Sequence, residues 1–118
     1  FFGLNFNRVL NYGIYNGSRV FSKHSVKKSI KKQNIPSGSD YALGWDTPSL
    51  NGNSSAGDYF SKLSFGHLGF TGTSLWVDKK NEIIIVLLTN RVHPSRDKKG
   101  IYGIRREFHN KVMQEILN

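Results

Sequence analysis

Apolar positions along this chain fall at helical spacing in one stretch and in short strand-like runs in another. From 100 to 117, Ile101, Ile104, Phe108, Val112 and Ile116 are spaced by three or four. That spacing marks one face of a helix, which should pack on a sheet. From 64 to 89 the pattern shortens into three runs, 64–69, 73–78 and 82–89, which read as strands. Their connections are short, so the strands should be antiparallel, with Lys79-Lys80-Asn81 as the second turn. Ile83 through Leu88 is apolar at every position. An antiparallel strand with one wet face would alternate, so cover on both faces is expected. The C-terminal helix supplies one cover. The other must come from a basic helix nearer the start or from a part of the protein outside this sequence.

The first half reads as follows. Residues 5–12 have the form of the last turns of a helix, with Phe6, Val9 and Leu10 at helical spacing and Gly13 in the stop position. Tyr15-Asn16-Gly17-Ser18 is a tight turn, because Asn-Gly readily takes positive φ. Ser22 is an N-cap for a helix running to about Gln33. Residues 34–40 form a polar loop, and 41–46 begin the sheet. Residues 48–61, rich in Ser, Asn and Gly, make the chain's most flexible-looking piece, too short for an interdomain linker. The expected class is α/β of the α+β type, an antiparallel sheet flanked by helices. No internal repeat or low-complexity tract interrupts it.

Length and composition then narrow the field. At 118 residues the chain is one domain at most. An apolar fraction of 37%, with eight Phe, five Tyr and two Trp, supports a core and excludes a disordered tail. Without cysteine there is no disulfide framework or thiolate metal site. No apolar run is long enough for a membrane span, and no signal peptide is visible. The formal charge is +9, much of it between Arg19 and Lys32. On a helix Lys27, Lys28, Lys31 and Lys32 would share one side and Val26 and Ile30 the other. No aromatic residue interleaves with these lysines and no nucleic-acid motif accompanies them, so a solvated helix face is the better reading and nucleic acid is not an expected partner. A non-catalytic basic module that binds nucleic acid or an anionic surface is the competing class.

The chemistry concentrates in Gly66-His67-Leu68-Gly69-Phe70-Thr71-Gly72-Thr73-Ser74. Three glycines permit close approach to the backbone, an imidazole lies among them, and hydroxyls follow. Such strand edges hold a polar substrate by its carbonyl or carboxylate. Together with Ala42-Leu43-Gly44-Trp45-Asp46-Thr47-Pro48 and Leu88-Thr89-Asn90-Arg91-Val92-His93-Pro94-Ser95-Arg96, this stretch resembles the C-terminal part of the serine β-lactamase-related family. That family includes class C β-lactamases, D-alanyl-D-alanine carboxypeptidases and related esterases. The likeness runs from about Gly13 to the end.

In the family three motifs build the site: Ser-x-x-Lys with the nucleophile, Tyr-x-Asn with a proton-handling phenol, and a Lys/His-x-Gly strand. His67-Leu68-Gly69 matches the third. The resemblance thus implies that His67 is catalytic, sharing protons near the serine and binding the substrate's carboxylate side. It implies that Phe70 offers its backbone N–H to the oxyanion hole, and that Gly69 and Thr71 shape the substrate-binding edge. Leu68 stands where many members carry Thr. No Tyr-x-Asn occurs. Ser25/Lys28, Ser29/Lys32 and Ser95/Lys98 have the Ser-x-x-Lys spacing, which a Ser- and Lys-rich chain yields by chance.

The expectation is therefore a single partial domain, the C-terminal portion of a serine hydrolase acting on a β-lactam, peptide or ester through an acyl-enzyme. Its partners are a small-molecule or peptide substrate and the missing N-terminal portion of the same domain, with no cofactor and no metal. The isolated chain should be inactive. The family resemblance implies a periplasmic or secreted protein. His24, His93 and His109 read as structural or surface residues, and no His/Asp/Glu set has metal-ligand spacing.

Overall fold

The computed structural model describes residues 11–49 and 51–118. The expected helix over 5–12 falls mostly outside them. The chain divides into two compact units, with the boundary between Trp45 and Asp46.

In the first unit, β1 (Ile14–Tyr15) and β2 (Ser18–Arg19) form a two-residue hairpin. Asn16 and Gly17 both take positive φ, 47° and 76°, as the Asn-Gly turn requires. α1 spans Lys23–Ile30. Its cap is the expected one: Ser22 Oγ accepts from the Ser25 N–H at 3.0 Å. The helix ends three residues earlier than expected. Lys31 is extended, and the chain turns back so that the Gln33 N–H donates to Tyr41 O and the Leu43 N–H to Ser29 O. Lys31 and Lys32 thus leave the helical face, and Lys32 pairs with Asp40. Residues 41–46 do not make a continuous strand. Ala42 N–H donates to Trp45 O in a turn with Gly44 at φ 79°, which breaks the extended run.

In the second unit, β3 (Phe65–Leu68), β4 (Ser74–Asp78) and β5 (Ile83–Leu87) form an antiparallel sheet in the order β3-β4-β5. Asp46 adds one bridge to the outer edge of β3, opposite Gly66. The register pairs His67 with Leu75 and Leu75 with Val86. It therefore puts Phe65, His67, Leu75, Val77, Ile84 and Val86 on one face. The opposite face packs on α2 (Ile101–Leu117), where Ala56, Phe60, Trp76, Ile85 and Met113 make the core and Leu68, Ile83, Phe108 and Val112 flank it.

Two expectations need correction and a third is narrowed. The buried stripe of α2 is Ile101, Arg105, His109 and Met113, while Ile104 and Ile116 are exposed. The helix turns this way because the sheet side offers backbone carbonyls that only polar side chains can satisfy. Among the described residues the second face of β5 lacks full cover, as a cover from outside this sequence allows: Ile84 is 43% and Val86 52% exposed, and Leu88 just beyond is 79% exposed. The loop over 48–61 is tied down rather than loose. Ala56 and Phe60 are buried, and Asp58 receives both a bidentate pair from Arg106 and the Asn110 amide.

Candidate active site

β3 carries the chain from the interior outward. Phe65 and Gly66 are buried, His67 is exposed, and Leu68 is half-buried. The gradient follows from the register. Gly66 lies against the Trp76 ring so closely that a Cβ there would sit 2.5 Å from it. One residue on, the His67 side chain points to the opposite face. Leu68 returns to the core face and packs on the hydrophobic cluster, which suits Leu at a position where the resembling family often has Thr.

The β3–β4 connection, residues 69–73, is a tight loop. The Gly69 N–H donates to Thr73 O at 2.8 Å, and the Gly72 N–H to Gly69 O at 3.0 Å. Gly72 has φ 96° and lies beside Thr89 and Ile101, so only glycine fits. Every carbonyl of the loop has a donor. Arg105 Nη2 donates to Gly69 O and Thr73 O, both at 2.8 Å, and its Nε to Gly72 O at 3.1 Å. Arg91 Nε donates to Phe70 O at 2.8 Å, and its backbone N–H to Thr71 O at 2.9 Å. The Thr89 hydroxyl also donates to Thr71 O. Among the described residues the Phe70 N–H meets no acceptor. The Phe70 ring is 61% exposed, with the Arg91 and Arg96 guanidinium carbons 4.8 and 5.3 Å from its centroid.

Three further polar residues shape this region, of which Arg105 carried no signal in the sequence. Arg105 is buried, which pulls its pKa down; the charge of nearby Arg91 acts the same way, while Tyr102 and Asp46 oppose. The guanidinium nonetheless stays charged. Asp46 exchanges backbone hydrogen bonds with Gly66 at 2.8 and 2.9 Å. Burial raises its carboxyl pKa, and the charges of His67 and Arg105 hold the rise back. His109 is fully buried, with Nδ1 2.8 Å from Ser55 O and Nε2 3.4 Å from Ser74 Oγ. A carbonyl only accepts, so Nδ1 carries the proton and donates. Burial lowers the His109 pKa, with the charge of Arg105 adding to this and the Ser55 bond opposing. A helical pattern of hydrophobics could not have marked these residues. The only hint is that Arg105 and His109 stand four apart on the buried stripe.

The structure brings His67, Gly69, Phe70 and Thr71 together at one end of β3. It gives the three Ser-x-x-Lys serines only local partners. Ser25 Oγ bonds Ser22 Oγ, Ser29 donates to Val26 O, and Ser95 donates to Asp97. His93 and His24 are exposed. Among the described residues no group of three or more His, Asp or Glu could hold a metal, and no helix is long and apolar enough to cross a membrane.

Comparison with known proteins bears on the family and the fold. The β-lactamase family model matches residues 13–108, from the first hairpin into α2. A protein of Salmonella gallinarum named as a D-alanyl-D-alanine carboxypeptidase is 35% identical over 89 residues, 72% of this chain and 19% of that protein. Its Salmonella typhi counterpart is 34% identical over the same shares. The chain thus spans about a fifth of the length of these curated relatives. A crystal structure of a β-lactamase from Mycobacterium bovis superposes with a TM-score of 0.65 at 22% identity, covering 92% of this chain and 40% of that one. At that identity the likeness speaks for the fold alone. With the match extending over the hairpin, the His67 strand and the start of the C-terminal helix, this chain belongs to the serine β-lactamase-related family.

Proposed function

We propose that this chain is the C-terminal part of a serine hydrolase domain of the carboxypeptidase-like kind and supplies the His-x-Gly wall of its site. The observation that carries the reading is the end of β3, where an exposed imidazole and an unengaged loop amide lie three residues apart. In this reading His67 shares a proton with the serine or its leaving group and meets the substrate's carboxylate side. The Phe70 N–H stabilises the oxyanion of the tetrahedral intermediate. Gly69 keeps the edge bare, and Thr71 borders the substrate. The nucleophile, its lysine and the tyrosine come from a preceding part of the same domain. Exposed Ile84, Val86 and Leu88 support such a neighbour, since an apolar sheet face of this kind finds a partner surface. The substrate is a peptide or small molecule with a carbonyl to be acylated onto the serine, and the relatives' names favour a peptide.

The test begins with the coding sequence upstream, which should encode a Ser-x-x-Lys and then a Tyr-x-Asn. The joined protein should form a covalent adduct with a penicillin or with a p-nitrophenyl ester, visible by mass spectrometry, and His67→Ala should slow adduct formation at least ~100-fold. Absence of both motifs upstream, with no adduct formed, would end this reading. Salt-sensitive binding of nucleic acid by the chain would then revive the basic-module alternative.

A further inference from the structure

We propose that Arg105 and Arg91 are positioning residues that aim the Phe70 and Thr71 amides outward, turning the β3–β4 loop into a seat for a single oxyanion. The inference rests on the hydrolase reading for the role of that oxyanion, and on the loop itself for everything else.

A trans peptide is planar, so the carbonyl of one residue and the N–H of the next point in opposite directions. Whatever holds the carbonyl therefore aims the amide. Arg105 Nη2 holds Gly69 O at 2.8 Å, which directs the Phe70 N–H away from α2. Arg91 Nε holds Phe70 O at 2.8 Å, which directs the Thr71 N–H away from the loop that follows β5. Phe70 and Thr71 are the central residues of the turn closed by the Gly72 N–H to Gly69 O. The two central amides of a β-turn have no partner inside it. Successive free amides of this kind make an anion-binding nest.

The clamp is stiff as well as directional. One guanidinium serves three carbonyls, of Gly69, Gly72 and Thr73, from a side chain only 4% exposed. Arg91 is fixed in turn, because its Nη1 donates to Arg96 O and Lys98 O at 2.9 and 3.0 Å. A cation on the carbonyl also polarises the peptide and strengthens its N–H as a donor. A lysine at 105 has the charge but not the planar fork needed to reach three carbonyls on two sides.

The test uses the full chain, labelled with nitrogen-15, and sodium formate as the oxyanion probe. In the wild type the Phe70 and Thr71 amide resonances should move saturably with formate. Arg105→Lys should weaken the response of Phe70 at least ~10-fold and Arg91→Lys that of Thr71 by ~3- to 10-fold. Arg96→Ala removes a nearby cation without touching any loop carbonyl, and should change either response less than ~3-fold. A purely structural role for the arginines would lower the melting temperature while leaving the folded protein's formate affinity unchanged. That result overturns the proposal, as does a wild type whose two amides ignore formate. If Arg105→Lys fails to fold, the half-buried loop variant Arg91→Lys still decides. A joined protein that forms no acyl adduct while the formate response persists would sink the hydrolase reading and leave the loop inference standing.

Discussion

Asp78 closes β4 with no exposed surface, yet its carboxylate is fully engaged. One oxygen accepts from Ser61 Oγ at 2.6 Å and from the Lys80 and Asn81 N–H groups at 2.9 and 3.2 Å. The other accepts from the Ser61 N–H at 2.8 Å and Asn81 Nδ2 at 2.9 Å. Five donors and no counter-donor make this a site for an anion. Asp78→Asn keeps the shape but replaces one oxygen with an N–H₂ group. On the less crowded side, that leaves the Ser61 N–H facing another donor, at about 1–3 kcal/mol for a buried unsatisfied group. The three bonds on the retained oxygen lose their charge assistance and roughly half their strength. A total loss of about 2–4 kcal/mol is expected, a large share of a small domain's ~5–15 kcal/mol. Urea denaturation followed by the fluorescence of the buried Trp76 measures it. The pH dependence gives an independent check. Burial by itself would raise the Asp78 pKa, but the hydrogen bonds from Ser61 and Asn81 outweigh it and hold the pKa below the ordinary 3.8. A depressed carboxyl pKa contributes stability that is complete well above 3.8 and is lost as pH falls through the lower folded value. Asp78→Asn should remove that part of the acid limb. A loss under about 1 kcal/mol at pH 7, or an acid limb identical to the wild type's, would refute the reasoning.

Three further outcomes are expected. The lowered pKa of His109 means that the unfolded chain takes up its proton first, so stability should fall as pH drops below 6.5 and level off beneath the folded value; urea midpoints at several pH values, flattened in His109→Gln, check this. Asp46 shows the opposite sign: burial raises its carboxyl pKa above 3.8, so ionisation weakens the fold as pH rises through that window, and Asp46→Asn should hold or raise the urea midpoint at pH 7 with the difference vanishing below 3.8. On β5, Ile85→Ala should cost about 2–5 kcal/mol and Val86→Thr within about 0.5, while the chain itself should associate in light scattering through Ile84, Val86 and Leu88 and become monomeric in Ile84→Lys/Val86→Lys.

Much of this protein is legible in local pattern. The three short strand-like runs and the helical spacing of three and four marked β3, β4, β5 and α2 within a residue or two of where they form. Ser22 capped its helix and Asn16-Gly17 turned its hairpin, because caps and turns depend on a few adjacent backbone groups. The order of His67, Gly69 and Phe70 put the candidate site at the end of β3, which is where the fold places those residues. What local pattern misread was facing at particular places, although Val26 and Ile101 fall inward as their spacing asked. Hydrophobic spacing put Ile104 and Ile116 inward on α2, whereas Arg105 and His109 lie there. It treated residues 48–61 as slack, whereas Ala56 and Phe60 are in the core and Asp58 is tied to α2. It asked for two covers on β5 without fixing the source of the second, and here Ile84 and Val86 meet solvent. On α2 the reason is chemical. A helix's orientation on a sheet is settled by which groups across the interface need partners. The carbonyls at 69, 72 and 73 need donors, and only the folded loop brings them to Arg105. Periodicity records how greasy a side chain is. It cannot record a carbonyl more than thirty residues away, and that is where tertiary structure made the decision.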